Sequence, residues 1–122
     1  MKSPDFLEYE IPERHWTLKI TDMITAIQKI LKYIKGLVYE DFAQDRLAVD
    51  AVSLNIVILG EASAHVPEHI RQAHPEIPWR NLRDMQRFTD YVNFRVDDRE
   101  VWKTITNDLP PLIPQLQAIL ED

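Results

Sequence analysis

The hydrophobic positions of this chain recur at the spacing of helices rather than strands. From Trp16 to Ile34, apolar residues return every three or four positions, at Ile20, Met23, Ile24, Ile27, Ile30, Leu31 and Ile34. This period gathers them on one face of a helix. Gly36 follows at the position where a C-terminal cap is expected. The pattern therefore predicts an amphipathic helix over 16–34.

A second helix is predicted to start around Asp41 to Gln44 and to continue to about Ala64. It carries two apolar stripes, one made of Ala51, Leu54, Ile58 and Ala62 and the other of Val52, Ile56 and Leu59. A helix that is apolar on more than one side cannot bury every such side against a single neighbour. We therefore expect this helix to be central in the fold or shared with a second subunit.

Prolines divide the next part of the chain. Pro67 suits the first turn of a short helix that reaches about Ala73. Two further prolines in the stretch 74–78 end that helix, because proline lacks a backbone N–H. Trp79 then opens a helix that is predicted to continue to about Phe94.

The last part of the chain is also helical by pattern. Asp97 and Glu100 resemble a capping box. The helix that follows carries Val101, Trp102, Ile105 and Leu109, and Pro110, Pro111 and Pro114 interrupt or kink its end. The sequence predicts an all-α, up-and-down bundle of five or six helices, forming a single domain over 1–122 with about 1–15 as an N-terminal extension.

Composition narrows this picture. A chain of 122 residues with 45% hydrophobic residues suits one globular domain, and only 2 glycines favour helices over turn-rich sheets. Cysteine is absent, which excludes disulfides and thiolate metal sites and favours a reducing compartment, so we expect a cytoplasmic location. The N-terminus lacks the apolar run of a signal peptide, and the longest apolar stretch, 56–59, is too short to span a membrane.

Net charge limits the possible partners. The formal charge is −6, whereas proteins that grip nucleic acid over a wide surface are usually basic. Contact with RNA must therefore be local, or a partner must supply positive charge.

The best candidates for chemistry are charged and aromatic residues after the second proline break, namely Arg80, Arg83, Arg87, Asp90 and Tyr91. The arginines share one helix face and can hold a phosphate, while the tyrosine or the aspartate can move a proton. The same spacing also predicts a solvated face with ion pairs such as Arg80–Asp84. On pattern alone, the solvated face is favoured.

Two other sets of residues have simpler interpretations. Glu61, His65 and His69 repeat at four-residue steps, but Pro67 separates the histidines, so we predict two surface histidines and a partly buried carboxylate rather than a metal site. The three tryptophans, Trp16, Trp79 and Trp102, could stack on bases, but each lies near a helix end beside apolar residues. Packing in the core or an interface is the better prediction, and neither a cofactor nor a metal ion is expected.

Several short segments together resemble the HepT-like group of the HEPN family. The matching pieces are Leu59-Gly60-Glu61-Ala62, Pro75-Glu76-Ile77-Pro78-Trp79, Leu82-Arg83-Asp84-Met85, Phe94-Arg95-Val96-Asp97, Val101-Trp102 and Asn107-Asp108-Leu109-Pro110. They occur in the family's order and spacing, and the similarity covers roughly Leu18 to Leu120. No single piece is diagnostic, but the set is specific.

The resemblance implies a helical homodimer that acts as a metal-independent ribonuclease and is toxic to its own cell. Family members are paired with an MNT-type nucleotidyltransferase antitoxin, which can transfer AMP to a tyrosine of the nuclease site. That site consists of an arginine, a short spacer, a histidine, any residue and a tyrosine, and two copies meet at the dimer axis. Histidine can serve as acid and base on the ribose 2′-hydroxyl, and arginine can stabilise phosphate charge.

The sequence departs from the family at this motif. In the register set by Phe88 and Phe94, the motif positions fall on Gln86, Tyr91 and Asn93, and none of the three matches. Either the protein is a natural variant that lost activity or the stretch 86–93 has been altered. The remaining site candidates are Arg87, Asp90 and Tyr91.

Three functions follow from this departure. The first is a HepT-like toxin ribonuclease with weak or absent cleavage. The second is a catalytically inactive HEPN dimer that docks the nucleotidyltransferase and RNA. The third is a plain helical dimer with a scaffolding role.

Overall fold

The computed structural model describes residues 15–85 and 98–121. These two ranges contain helices and turns and no strand, which confirms the predicted all-α fold. Seven α-helices and one π-helical turn occur there: α1 (Trp16–Ile34), α2 (Tyr39–Gln44), α3 (Arg46–Ala64), α4 (Glu68–Ala73), α5 (Trp79–Asp84), α6 (Asp98–Lys103), the π turn (Thr104–Asp108) and α7 (Leu112–Glu121). The predicted N-terminal extension lies almost wholly outside the described residues.

The first predicted helix is confirmed at both ends. The apolar face of α1 is buried, including Ile20, Met23, Ile27 and Ile30, none of which is measurably exposed. It packs chiefly against α3 and also against α7. Gly36 has a φ of 81°, a left-handed conformation that glycine adopts without steric cost, and it ends the helix as predicted.

The second predicted helix is in fact two helices. Asp45 has φ −90° and ψ 95°, an extended conformation that separates α2 from α3. Its Oδ1 accepts a hydrogen bond of 3.0 Å from the backbone N–H of Ala48, so Asp45 caps the start of α3. Such a cap typically stabilises a helix by about 1 kcal/mol. The prediction of one continuous helix was wrong here because it overlooked this cap.

The two apolar stripes of α3 are buried to different extents. Val52, Ile56 and Leu59 are fully buried and face the core, as α3 packs against α1 and α5. In the other stripe, Leu54 and Ile58 remain 60% and 39% exposed, Ala51 is partly buried and Ala62 is buried. The helix is therefore central on one side and open on the other.

The length and composition of α3 would also allow it to cross a membrane. Within the described part of the chain it is the one helix that passes this test, and 56% of the tested window is buried in the bundle. A helix at the core of a globular bundle passes the same test.

The prolines act as predicted, with differences in detail. Pro67 is the N-cap residue of α4, one position before the helix proper. Helix α5 opens at Trp79 but ends at Asp84, with Met85 as its C-cap, and the remaining predicted length, 86–94, lies outside the described residues. Near the C-terminus, the Leu109 N–H donates to the Thr104 carbonyl at 3.1 Å, which closes the wider π turn just before Pro110.

Candidate functional site

The predicted catalytic residues and the family motif positions fall in one segment of the chain. Arg87, Asp90 and Tyr91 lie in 86–97, outside the described residues, as do the motif positions Gln86 and Asn93. Their assignment stays a prediction from sequence. The structure does describe the elements on both sides of this segment.

The entry to the segment is anchored on the bundle by α5. Leu82 is fully buried and Met85 is 7% exposed, and α5 packs against α3. The half-buried Trp79 opens the helix, and its Nε1–H donates to the His74 carbonyl at 2.9 Å. The last described residue before the motif position 86 is therefore fixed against the core.

The exit from the segment is anchored by α6. Val101 is fully buried, and the Trp102 ring lies 5.1 Å from the ring of Phe42, centroid to centroid. The guanidinium carbon of Arg99 sits 4.4 Å from the centre of the Tyr39 ring, a cation–π contact. Aromatic contacts from α2 thus hold the point where the described chain resumes.

Two of the three predicted phosphate-binding arginines are described, and both are exposed. Arg80 and Arg83 lie one turn apart on α5. The predicted Arg80–Asp84 ion pair does not form, although both residues lie among those that the structure describes. An exposed pair of this kind gains little over solvation by water. Both guanidinium groups therefore face solvent without a carboxylate partner among the described residues.

The structure separates His69 from Glu61 and His65, as expected, but the exposure of the Glu61 carboxylate differs from the prediction. His65 ends α3, with Nδ1 2.8 Å from the Glu61 carbonyl oxygen, while His69 lies on α4. Both histidines are exposed, as predicted. Glu61 is exposed rather than partly buried, because its position falls on the outer side of α3 with Leu54 and Ile58. Among the described residues, no group of three or more His, Cys, Asp or Glu could hold a metal ion.

The three tryptophans are partly buried. All of them pack against the hydrophobic core, so the packing prediction is confirmed for Trp16, Trp79 and Trp102.

A pocket of about 440 Å³ lies between α5 and the π turn, and its presence was not predicted. It is lined by Pro78, Asn81, Leu82, Met85, Asn107, Asp108, Leu109, Pro111 and Leu112. Two of the segments that carry the family resemblance, 82–85 and 107–110, meet in this pocket. The match of both segments to the family was a signal in the sequence. Because they are far apart along the chain, that match did not indicate that they lie side by side.

Comparison with known proteins identifies the family. The model of the family described as ribonuclease HepT-like matches residues 23–119. The chain therefore belongs to the HepT-like ribonuclease family.

Individual relatives agree with this assignment. A protein of Thermococcus cleftensis named "Probable ribonuclease HepT" is 37% identical over 93 residues, which is 76% of this chain and 84% of the relative. A protein of Caldanaerobacter subterraneus that is named as an RNase is 30% identical over 92 residues, covering 75% of this chain and 82% of the relative. Another protein named as an RNase, from Methanocaldococcus jannaschii, is 27% identical over 112 residues, covering 92% and 97%. No solved structure matches the chain.

Proposed function

We propose that this protein is an RNA endonuclease of the HepT type and the toxin component of a HEPN/MNT toxin–antitoxin pair. The observation that carries the proposal is the family match over 23–119, together with relatives that are named as ribonucleases. The two anchored helices α5 and α6 add support, because they border the segment in which the family has its nuclease motif.

In this proposal, the chemistry rests on residues next to the family positions. Arg87 binds the scissile phosphate and stabilises its developing charge. As the ribose 2′-oxygen attacks the phosphorus and the bond to the 5′-oxygen breaks, Asp90 and Tyr91 take up the 2′-hydroxyl proton and supply one to the leaving 5′-oxygen, in place of the family's histidine. A tyrosine hydroxyl is a poor base at neutral pH, since the reference pKa of tyrosine is about 10. Cleavage is therefore expected to be slow.

A cleavage assay on total cellular RNA tests this proposal. We expect slow, metal-independent cleavage by the purified chain, and Tyr91→Phe should abolish it because that variant loses the hydroxyl. The products are followed by gel electrophoresis with EDTA present. Cleavage that persists undiminished in Tyr91→Phe contradicts the role given to Tyr91.

The alternative function is a catalytically inactive HEPN dimer that binds the nucleotidyltransferase. It is favoured by the absence of any histidine after His74 in the sequence. The net charge of −6 suits a partner that presents positive surface. Both functions belong to the cytoplasm. Complete absence of cleavage, with co-purification of a nucleotidyltransferase encoded beside this chain, would select the binding module.

Both functions require a homodimer, and the outer face of α3 is the surface that we assign to it. We call the residues Leu47, Ala51, Leu54 and Ile58 the outer stripe. Leu47, Leu54 and Ile58 are 83%, 60% and 39% exposed and follow one another on one helix face, and an exposed apolar patch of this kind marks an interaction surface. If two copies cross antiparallel about a two-fold axis, the small Ala51 faces the larger Leu54 of the other copy, and Leu47 faces Ile58. The stripe is thus self-complementary, as a two-fold interface requires.

Leu54→Asp should break this dimer. A carboxylate at the centre of an apolar interface is buried without a partner, so we expect the dissociation constant to rise on the order of 30-fold or more. Sedimentation velocity over a concentration series measures the change. Leu18→Asp on α1 is the matched control, because Leu18 is 54% exposed but lies off the stripe. An unchanged dimer in Leu54→Asp would place the interface elsewhere.

A further inference from the structure

We propose that the pocket between α5 and the π turn binds a guanine base. The inference rests on the proposed action on RNA and adds a base preference to it. The pocket is named here the base pocket, with the lining residues given above. Its volume of about 440 Å³ lies within the range of small-ligand sites.

The floor of the base pocket is apolar and fixed. Leu82 and Leu109 are fully buried, and Met85 and Leu112 are nearly so. Pro78 and Pro111 stand at its edges, and each has a restricted backbone. Because these buried side chains offer almost no accessible surface, a flat ring would contact chiefly the exposed Pro78 and Pro111, which the core beneath them holds in place.

The rim carries three polar side chains that have no bonding partner within the described chain. Asn81 comes from α5, and Asn107 and Asp108 come from the end of the π turn. All three are exposed. The π turn matters because an inserted residue shifts the following side chains around the helix axis, and such turns recur at functional sites.

This set of polar groups matches guanine better than the other bases. Guanine presents two adjacent donors, N1–H and the N2 amino group, which a single carboxylate such as that of Asp108 can accept together. An amide N–H of Asn81 or Asn107 can donate to the guanine O6. Single-stranded RNA is commonly recognised through these edges of unstacked bases. Adenine, cytosine and uracil each lack the pair of adjacent donors.

The negative charge of the pocket lining favours binding of a base rather than a phosphate. Among the described residues that line it, Asp108 is the one with an ionisable side chain. A carboxylate repels a phosphate group, so the sugar–phosphate part of a bound nucleotide must remain outside. Outside the pocket, on the solvent side of α5, the exposed Arg80 and Arg83 carry positive charge.

The location of the pocket connects it to the proposed nuclease site. Met85 lines the pocket and is followed directly in the sequence by Gln86, the first motif position. The pocket therefore lies next in the chain to the segment that carries the proposed nuclease residues, and a guanine held there would bias which RNA the protein binds.

Binding of short RNAs and mononucleotides tests the inference. Fluorescence anisotropy compares a labelled oligouridylate with the same oligomer that carries one central guanosine, and NMR titration follows 5′-GMP against 5′-AMP, 5′-CMP and 5′-UMP. We expect the guanosine oligomer to bind about tenfold more tightly, the size of one good bidentate base contact. Asp108→Asn should remove this preference, because the amide cannot accept both guanine donors. Asp22→Asn, the same change at an exposed site on α1, should leave the preference unchanged.

The outcomes separate this inference from the proposed function. Equal binding of both oligomers and of all four mononucleotides overturns the base pocket, while RNA binding itself still stands. Selective binding of 5′-GMP that Asp108→Asn removes, without binding of either oligomer, supports the pocket for a free nucleotide and contradicts action on RNA. Guanine selectivity that survives in Asp108→Asn also overturns the assignment. Absence of binding in both assays contradicts both proposals.

Discussion

The triple variant Gln86→Arg, Tyr91→His and Asn93→Tyr should cleave cellular RNA at least about 100-fold faster than the unaltered chain. A positioned general acid–base group typically contributes a factor of about 100 to 10,000, and the unaltered chain lacks a histidine at its motif position. Histidine fills this role because its reference pKa of about 6.5 lies close to neutral pH. Initial rates on one defined RNA transcript measure the gain.

The controls for this variant separate the histidine from the other two changes. The double variant Gln86→Arg with Asn93→Tyr supplies the arginine and the second tyrosine but retains Tyr91, so it should remain slow. Rapid cleavage by this double variant would show that the acid–base group lies elsewhere. Equal rates for the triple variant and the unaltered chain would contradict the motif register.

Phe42→Ala should lower the free energy of unfolding by about 3–5 kcal/mol, the cost of emptying a buried aromatic site. Phe42 is fully buried and contacts Trp102 at 5.1 Å between ring centroids. The loss is large compared with a total stability of about 5–15 kcal/mol for a domain. It would also loosen α6, because this contact joins α6 to α2.

Chemical denaturation monitored by circular dichroism measures the effect. Tyr33→Ala is the matched control, since Tyr33 is another aromatic residue but is 39% exposed, and its loss should cost far less. Phe42→Leu should retain most of the stability because it leaves a smaller void. Equal losses in Phe42→Ala and Tyr33→Ala would contradict the central position given to Phe42.

Much of the helical structure could be predicted from the sequence. The spacing of apolar residues predicted where α1 begins and ends, and Gly36 marked its C-terminal end. Both signals are local, because helix periodicity and glycine caps depend on a few neighbouring residues. The cap at Asp45 is equally local, but the apolar pattern on either side obscured it. The remaining errors concern burial, as at Glu61, which depends on neighbours that are distant in sequence.

The candidate site, too, could be predicted from the sequence only in part. The order and spacing of short segments sufficed to predict the family, and the family model confirms it over 23–119. The roles of Arg87, Asp90 and Tyr91 rest on register alone. The base pocket could not be predicted, because 78–85 and 107–112 come together only when α5 and the π turn are placed on the same bundle.

The sequence by itself determined the helical class, the long first helix and the family of this protein, since each follows from local periodicity or from the order of motifs. Only the tertiary structure decided that Val52, Ile56 and Leu59 of α3 are buried against its neighbours α1 and α5, while Leu54 and Ile58 of the other stripe stay exposed. Both stripes are apolar, so hydrophobicity along the chain cannot distinguish them. The choice depends on which neighbouring helices cover each side, and that depends on contacts between residues far apart in the chain.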